Sequence, residues 1–246
     1  MSMMFDHLAI EHDVPNAPKA AILWLSGYAS VMKSTKVTAL AAWAKQNDIE
    51  LMRFDYSGLG ESGGDFAKGN LTTWLNEARY CYDRMRHRPV YIIGSSMGAW
   101  LALRLALELQ GSDQAPDGLL LLAPAVDFTH ELLLKALTAE QLAHFKTKGV
   151  LELPSRYDEA PLKVYHQFVE DAAKHRLLTH PQTLTVPTTI IHGQQDQDIP
   201  ISLMEKAAQH LGITNVITVP DGGHRLSRDQ DIALILKTVA AIIKNE

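Results

Sequence analysis

One serine in this chain stands between two glycines. The segment Gly94-Ser95-Ser96-Met97-Gly98 follows the apolar run Pro89 to Ile93 and opens a helix-like stretch. Strand, tight turn and helix in that order make a nucleophile elbow, which leaves the serine Oγ exposed at the strand's C-terminal end. Glycines two residues before and after Ser96 let the backbone and the neighbouring helix approach closely. Ser95 lacks that pair and is the weaker candidate. The Met97 amide opens the helix, so it points to where an oxyanion would form. At average glycine frequency, a chance G-x-S-x-G in a chain this long is roughly a one-in-twenty event. The flanking strand and helix make it rarer.

Serine alone is a weak nucleophile and needs a base. Eleven histidines are available. His224, in Asp221-Gly222-Gly223-His224, follows the last strand candidate, at the sheet edge where open α/β sheets bind ligands. His192 precedes Gly193 at a strand end and reads as bracing a loop. The base needs an acid to set its tautomer and stabilise the imidazolium. His192-Gly193-Gln194-Gln195-Asp196-Gln197-Asp198-Ile199-Pro200 offers Asp196 for that role. Asp198, expected to face solvent, and Asp127, after the preceding strand, remain alternatives. The order Ser96, Asp196, His224 is that of α/β-hydrolases, and not the trypsin-like or subtilisin-like order. A second oxyanion donor should come from the loop after an earlier strand. Leu25-Ser26-Gly27-Tyr28 supplies it, with the Tyr28 amide as donor.

Other chemistries fit less well. No Cys/His or His-x-x-x-His cluster points to zinc, so neither a metal nor a cofactor is expected. Gly58-x-Gly60-x-x-Gly63 formally matches a dinucleotide fingerprint but lacks a prompt helix and reads as structural.

These residues must be carried by a sheet. Six apolar runs read as strands buried on both faces: Ala20 to Leu25, Ile49 to Phe54, Val90 to Ile93, Leu119 to Leu122, Thr188 to Ile191 and Asn215 to Val219. Helix-like sequence separates them at Lys33 to Gln46, Leu71 to Arg86, Met97 to Gln110, Ile201 to Leu211 and Asp229 to Lys244. The alternation predicts one doubly wound, mostly parallel α/β domain over 1–246. Phe5 to Glu11 would add a leading antiparallel strand. The rhythm breaks between 127 and 180, too long for a structureless loop. That insert reads as a helical cap, with helices over Glu131 to Lys146 and Pro161 to His175 and a turn region from Gly149 to Pro154. Leu162, Tyr165, Phe168, Val169 and Ala172 share one face of the second helix. Tyr165 and Phe168 are therefore expected to roof the Ser96 site and bind substrate.

Composition limits the partners. The 246 residues are 46% hydrophobic and 21% charged, with 23 Lys and Arg against 28 Asp and Glu, a net charge of −5. That is ordinary for a globular chain, without the basic excess of a nucleic-acid binder. Cys81 is the single cysteine, so an internal disulfide is impossible. No segment has the length and apolarity of a membrane span. The first thirteen residues carry Asp6 and Glu11 and no basic-then-apolar pattern, so a cytoplasmic location is the expectation.

The chain resembles the α/β-hydrolase superfamily throughout. More narrowly it resembles the family of palmitoyl-protein thioesterases that also cleave acyl glucuronides. The similarity is carried by Gly27-Tyr28-x-Ser30-x-Met32-x-x-Thr35-Lys36 and Arg53-Phe54-Asp55-Tyr56-Ser57-Gly58-x-Gly60-x-Ser62. It continues in Gly94-Ser95-Ser96-x-Gly98-x-Trp100-Leu101 and Gly149-Val150-x-x-x-Pro154-Ser155-x-Tyr157. It departs at Gly223, where relatives often carry Asp. The resemblance implies a Ser96, Asp196, His224 triad without a cofactor. The expected activity is hydrolysis of a small acyl ester or thioester. A peptidase or acyltransferase on the same triad, or a non-catalytic binding protein on the same fold, are the alternatives.

Overall fold

The computed structural model describes residues 5–156 and 159–244. In chain order its elements are β1 (Ile10–Asp13), β2 (Ala20–Leu25), α1 (Thr35–Gln46), β3 (Ile49–Phe54), α2 (Leu71–Asp83), β4 (Val90–Ser95), α3 (Met97–Leu109) and β5 (Gly118–Leu122). There follow α4 (Ala139–Lys148), β6 (Val150–Leu153), β7 (Leu162–Tyr165), α5 (His166–Ala172), β8 (Thr188–Gly193), α6 (Ile201–Leu211), β9 (Asn215–Val219) and α7 (Asp229–Lys244). The six apolar runs are β2, β3, β4, β5, β8 and β9. The leading strand is shifted: Ile10 pairs with Phe54, antiparallel, while Phe5 leaves the sheet and packs on Tyr80.

Seven strands run in the order β1-β3-β2-β4-β5-β8-β9. Every pair but β1–β3 is parallel. Successive side chains of a strand point to opposite faces. Ala21, Leu23 and Leu25 of β2 thus join one core with α2, α3 and α6. Ala20, Ile22 and Trp24 join another with α1 and α7. Helices on both faces explain why β2, β4 and β5 are buried at every position, not at every second one.

The strand order places the loops that matter. From β2 the chain steps outward to β3, then crosses back to β4 on the other side of β2. The loops leaving β2 and β4 therefore diverge and open a crevice between them. Leu25 pairs with Gly94 at its floor. At the far side β8 and β9 end together, Gly193 against Val219.

The segment between β5 and β8 folds over that crevice as a mixed α and β cap. Its first helical piece, Thr129–Leu134, has π-helical hydrogen bonding. The chain breaks at Leu137 and Thr138, and Thr138 caps α4 through a capping box with Gln141. One continuous helix over 131–146 is thus replaced by two. The expected turn at 149–154 contains β6, and the first turn of the expected second helix is β7. The two pair antiparallel, Leu151 with Val164 and Leu153 with Leu162. The reason is a period of two: V-L-E-L and L-K-V-Y put apolar residues on one face, with Glu152 and Lys163 paired on the other.

The cap is tied down at its base. Asp127 accepts hydrogen bonds from the amides of Leu177 (3.0 Å) and Leu178 (2.8 Å), so the two ends of the insert meet. Trp100 Nε1 donates to the His175 carbonyl (3.0 Å), and the Thr72 amide donates to Asp171 (2.7 Å). Glu131 takes Lys206 of α6 (2.8 Å).

Candidate active site

Ser96 sits between β4 and α3 with φ 56 and ψ −117, a conformation that L-residues rarely adopt. It persists because its neighbours hold it. The Ser96 amide donates to Leu122 of β5 (2.9 Å), and its carbonyl accepts from Ala99 (3.1 Å) and Ala125 (3.2 Å). A Cβ on Gly94 would meet the Gly98 carbonyl at 2.5 Å, and one on Gly98 would enter the Leu25 carbonyl. Glycine at both positions is thus a packing requirement of the turn.

His224 joins two groups far from it in sequence. Its Nδ1 lies 2.7 Å from Asp196 Oδ2 and its Nε2 3.0 Å from Ser96 Oγ. A carboxylate only accepts, so Nδ1 carries the proton and donates to Asp196. Nε2 is then free to accept from the Ser96 hydroxyl. The other oxygen of Asp196 accepts from the amides of Asp198 (2.9 Å) and Ile199 (2.8 Å). Burial works to raise the Asp196 pKa. The His224 hydrogen bond and charge, with the Ile199 amide, outweigh it and hold the carboxyl below its usual value.

The geometry also sorts the alternatives. Asp198 does not simply face solvent: it lines the cavity mouth beside Arg156 (3.4 Å). Asp127 is buried and engaged at the base of the cap, where burial pushes its pKa up. Buried His192 donates through Nε2 to the Ile199 carbonyl (3.0 Å) and so braces the loop that carries Asp196. Burial lowers its pKa and favours the neutral ring. Among the described residues, one group, Asp196, Asp198 and His224, has ligand atoms within 4.8 Å of one another. Its His224 nitrogens are already directed at Asp196 and Ser96.

The loop after β2 runs against the serine. A Cβ on Gly27 would lie 3.2 Å from that of Ser96, and Gly27 and Tyr28 line the same cavity. Met97, the first residue of α3, is fully buried beneath it. The two loops expected to offer amides therefore flank the nucleophile position.

Comparison with known proteins agrees with this architecture. The family model for Hydrolase_4, serine aminopeptidase S33, matches residues 16–181. The chain belongs to this α/β-hydrolase family. The mitochondrial palmitoyl-protein thioesterase ABHD10 of mouse is 31% identical over 232 residues, covering 90% of this chain and 74% of that protein. The structure of mouse α/β-hydrolase domain-containing protein 10 superposes with a TM-score of 0.85 at 29% identity, covering 96% of this chain and 93% of that one. A protein of Agrobacterium vitis S4 superposes with a TM-score of 0.91 at 34% identity, with the same coverage.

This α/β-hydrolase encloses a cavity of about 500 Å³ above Ser96. Its apolar wall comes from Phe128, Leu132 and Leu133 of the first cap helix and Leu153, Leu162 and Val164 of the hairpin. Tyr165 and Phe168 do not line it. Tyr165 packs edge-on against Phe66. Phe168 is buried against Tyr28 (4.7 Å), Trp74 (5.5 Å) and Phe128 (6.1 Å). A strand from 162 to 165 turns Leu162 and Val164 inward, where a helix would have presented Tyr165. The alternating hydrophobicity of 150–153 and 162–165 was the available signal for the hairpin.

The family's other motifs also have structural roles here. Asp55 accepts from the amides of Met32 (2.7 Å) and Glu61 (2.9 Å), so the hydrolase's glycine-rich 58–63 loop folds around a carboxylate. A Cβ on Gly60 would enter that carboxylate, which explains the glycine. A Cβ on Gly223 would meet no heavy atom within 4 Å, so packing does not require glycine there. Tyr157 lies outside the described residues.

Proposed function

We propose that the chain is a serine esterase or thioesterase that works through an acyl-enzyme on Ser96. The observation that carries this reading is His224, bonded to Asp196 on one nitrogen and to Ser96 on the other. His224 takes the Ser96 proton as Oγ attacks the acyl carbonyl. The amides of Met97 and Tyr28 hold the resulting oxyanion. Imidazolium, stabilised by Asp196, then protonates the departing alkoxide or thiolate. Water, deprotonated by His224, attacks the acyl-enzyme, and collapse returns the acid product and free Ser96. No step needs a metal or cofactor. The apolar wall of the cap supports an acyl chain as the group held over Ser96, and the name of the mouse relative supports a thioester.

The family's description as a serine aminopeptidase raises a second reading. An aminopeptidase must hold a substrate ammonium, which calls for a carboxylate left open to it. Lys36, Arg156 and Arg225 line this cavity, and Asp198 faces Arg156. That charge pattern favours the ester reading. Fluorophosphonate labelling tests the acyl-enzyme, and a panel of thioesters, aryl esters and aminoacyl amides separates the substrate classes. Faster turnover of the aminoacyl amides than of any ester or thioester would sink the reading.

A further inference from the structure

Lys36 ends the first family-like stretch, and nothing in the catalytic scheme uses it. It lies in the first turn of α1 and its half-buried side chain lines the Ser96 cavity. Nζ donates to the carbonyl of Arg225, the residue after His224, at 2.5 Å. No carboxylate among the described residues forms an ion pair with it within 4.0 Å. A lysine held among catalytic groups without an acid partner is unusual, because burying an unpaired charge is costly.

The His224 loop has a long way to travel. Between β4 and β9 lie β5 and β8, about 14 Å of sheet that the loop must span to reach Ser96. Before His224 it is well held. The Gln195 amide donates to the Gly222 carbonyl (2.9 Å), and Arg228 bridges Asp221 (2.7 Å) and Asp231 (2.8 Å). Around the base it is less so. Gly223 has open space beside it. Leu226 is buried at φ 44, so the peptide between Arg225 and Leu226 is turned into an orientation that a leucine disfavours. The carbonyl of that same peptide is the one Lys36 takes.

We propose that Lys36 is a positioning residue for the base: its hydrogen bond to Arg225 holds the turned peptide and keeps His224 Nε2 on Ser96 Oγ. The role rests on the acyl-enzyme reading and deepens it. A neutral amine donates as well as an ammonium, so the tether survives deprotonation. The charge does not. Burial, with the Arg225 charge adding to it and Asp231 opposing, brings the Lys36 pKa down to about 8. The charged groups facing it are Arg225 from the loop and Asp231 from α7, with the His224 ring, Arg156 and Asp198 lining the same cavity. A cation in that cavity opposes the imidazolium that forms as Ser96 attacks. Loss of the proton should therefore quicken the attack.

The second-order rate of fluorophosphonate labelling at Ser96, followed across pH, tests this without knowledge of the natural substrate. Above about pH 8, where neither side chain is charged, Lys36→Met is expected to label about tenfold more slowly than wild type, and below it Lys36→Arg, which keeps the donors and the charge, to label close to the wild-type rate. Thermal melts of both variants should stay close to wild type. Wild type should show an added rise in rate through about pH 8 that neither variant shows. Equal rates in wild type and Lys36→Met well above pH 8, where neither side chain is charged, or a Lys36→Arg rate about tenfold below wild type well below pH 8, where both are charged, would overturn the role while leaving the acyl-enzyme intact. No labelling of wild type at all would overturn both.

Discussion

The phenol of Tyr28 donates to the backbone carbonyl of Lys163 at 2.9 Å. One residue thus lines the cavity over Ser96 and ties its own loop to the cap hairpin. Its ring packs on Phe66, Trp74, Phe128 and Phe168, and burial pushes its pKa well above the ordinary phenol value. Tyr28→Phe keeps the amide and the ring but loses the bond. It should cost about 1 kcal/mol of stability in urea unfolding and leave Ser96 labelling in place. Loss of labelling with unchanged stability would mean that the hydroxyl acts in the chemistry instead.

Substitutions at Ser96 and in its relay should separate by mechanism. Ser96→Ala should abolish labelling with an unaltered melting curve, and Ser95→Ala should retain it. Asp196→Asn puts an amide where a carboxylate accepts from His224 Nδ1, and under the proposed mechanism kcat should fall about 10⁴-fold. Asp198→Asn should fall far less. Asp127→Asn should show mainly in thermal stability, because that carboxyl holds the Leu177 and Leu178 amides. A large kcat loss in Asp127→Asn and none in Asp196→Asn would reassign the acid.

The anchor of the cap should be sensitive to acid. Burial works to raise the Glu131 pKa, but hydrogen bonds and charge from Lys135 and Lys206 outweigh it, bringing the value from 4.5 down to about 2. A carboxyl held below its unfolded pKa contributes stability that is fully present above about 4.5 and is lost as pH falls toward about 2. Glu131→Gln should therefore be less stable than wild type at neutral pH, and the gap should narrow at pH values below 4.5. Urea unfolding at several pH values measures it; a gap that stays constant with pH would remove the ionic contribution.

Substrate length should be read by the cap wall. Each acyl methylene buried there contributes up to about 0.8 kcal/mol, or at most about fourfold in kcat/KM. The value should climb from acetyl toward medium-chain esters or thioesters and level off where the cavity ends. Leu133→Ala or Leu162→Ala should flatten the climb, since both line the cavity. Phe168→Ala should instead cost about 3–5 kcal/mol of stability and leave the slope alone. A flat series in wild type would mean that the cap does not hold the acyl group.

The sequence by itself determined the sheet, the elbow and the order of the catalytic candidates. Six apolar runs between amphipathic stretches admit few arrangements; Gly94 is needed by its own turn, against Gly98 and Ala99, while Gly98 is needed by the approach of the distant Leu25 carbonyl. The cap was legible as an insertion but not in its form. Tyr165 and Phe168 share a helical face only if 161–175 is helical throughout, and cross-strand pairing of Leu151 with Val164 overrides that local periodicity. Tertiary structure alone decided which aspartate meets His224. Asp127, Asp196 and Asp198 all follow strands at one sheet edge, and their partners come from distant segments: Leu177 and Leu178 for Asp127, His224 for Asp196, Arg156 for Asp198. Lys36 shows the same limit. It stands 188 residues before His224, and only closure of α1 against the β9–α7 loop brings its amine to the Arg225 carbonyl.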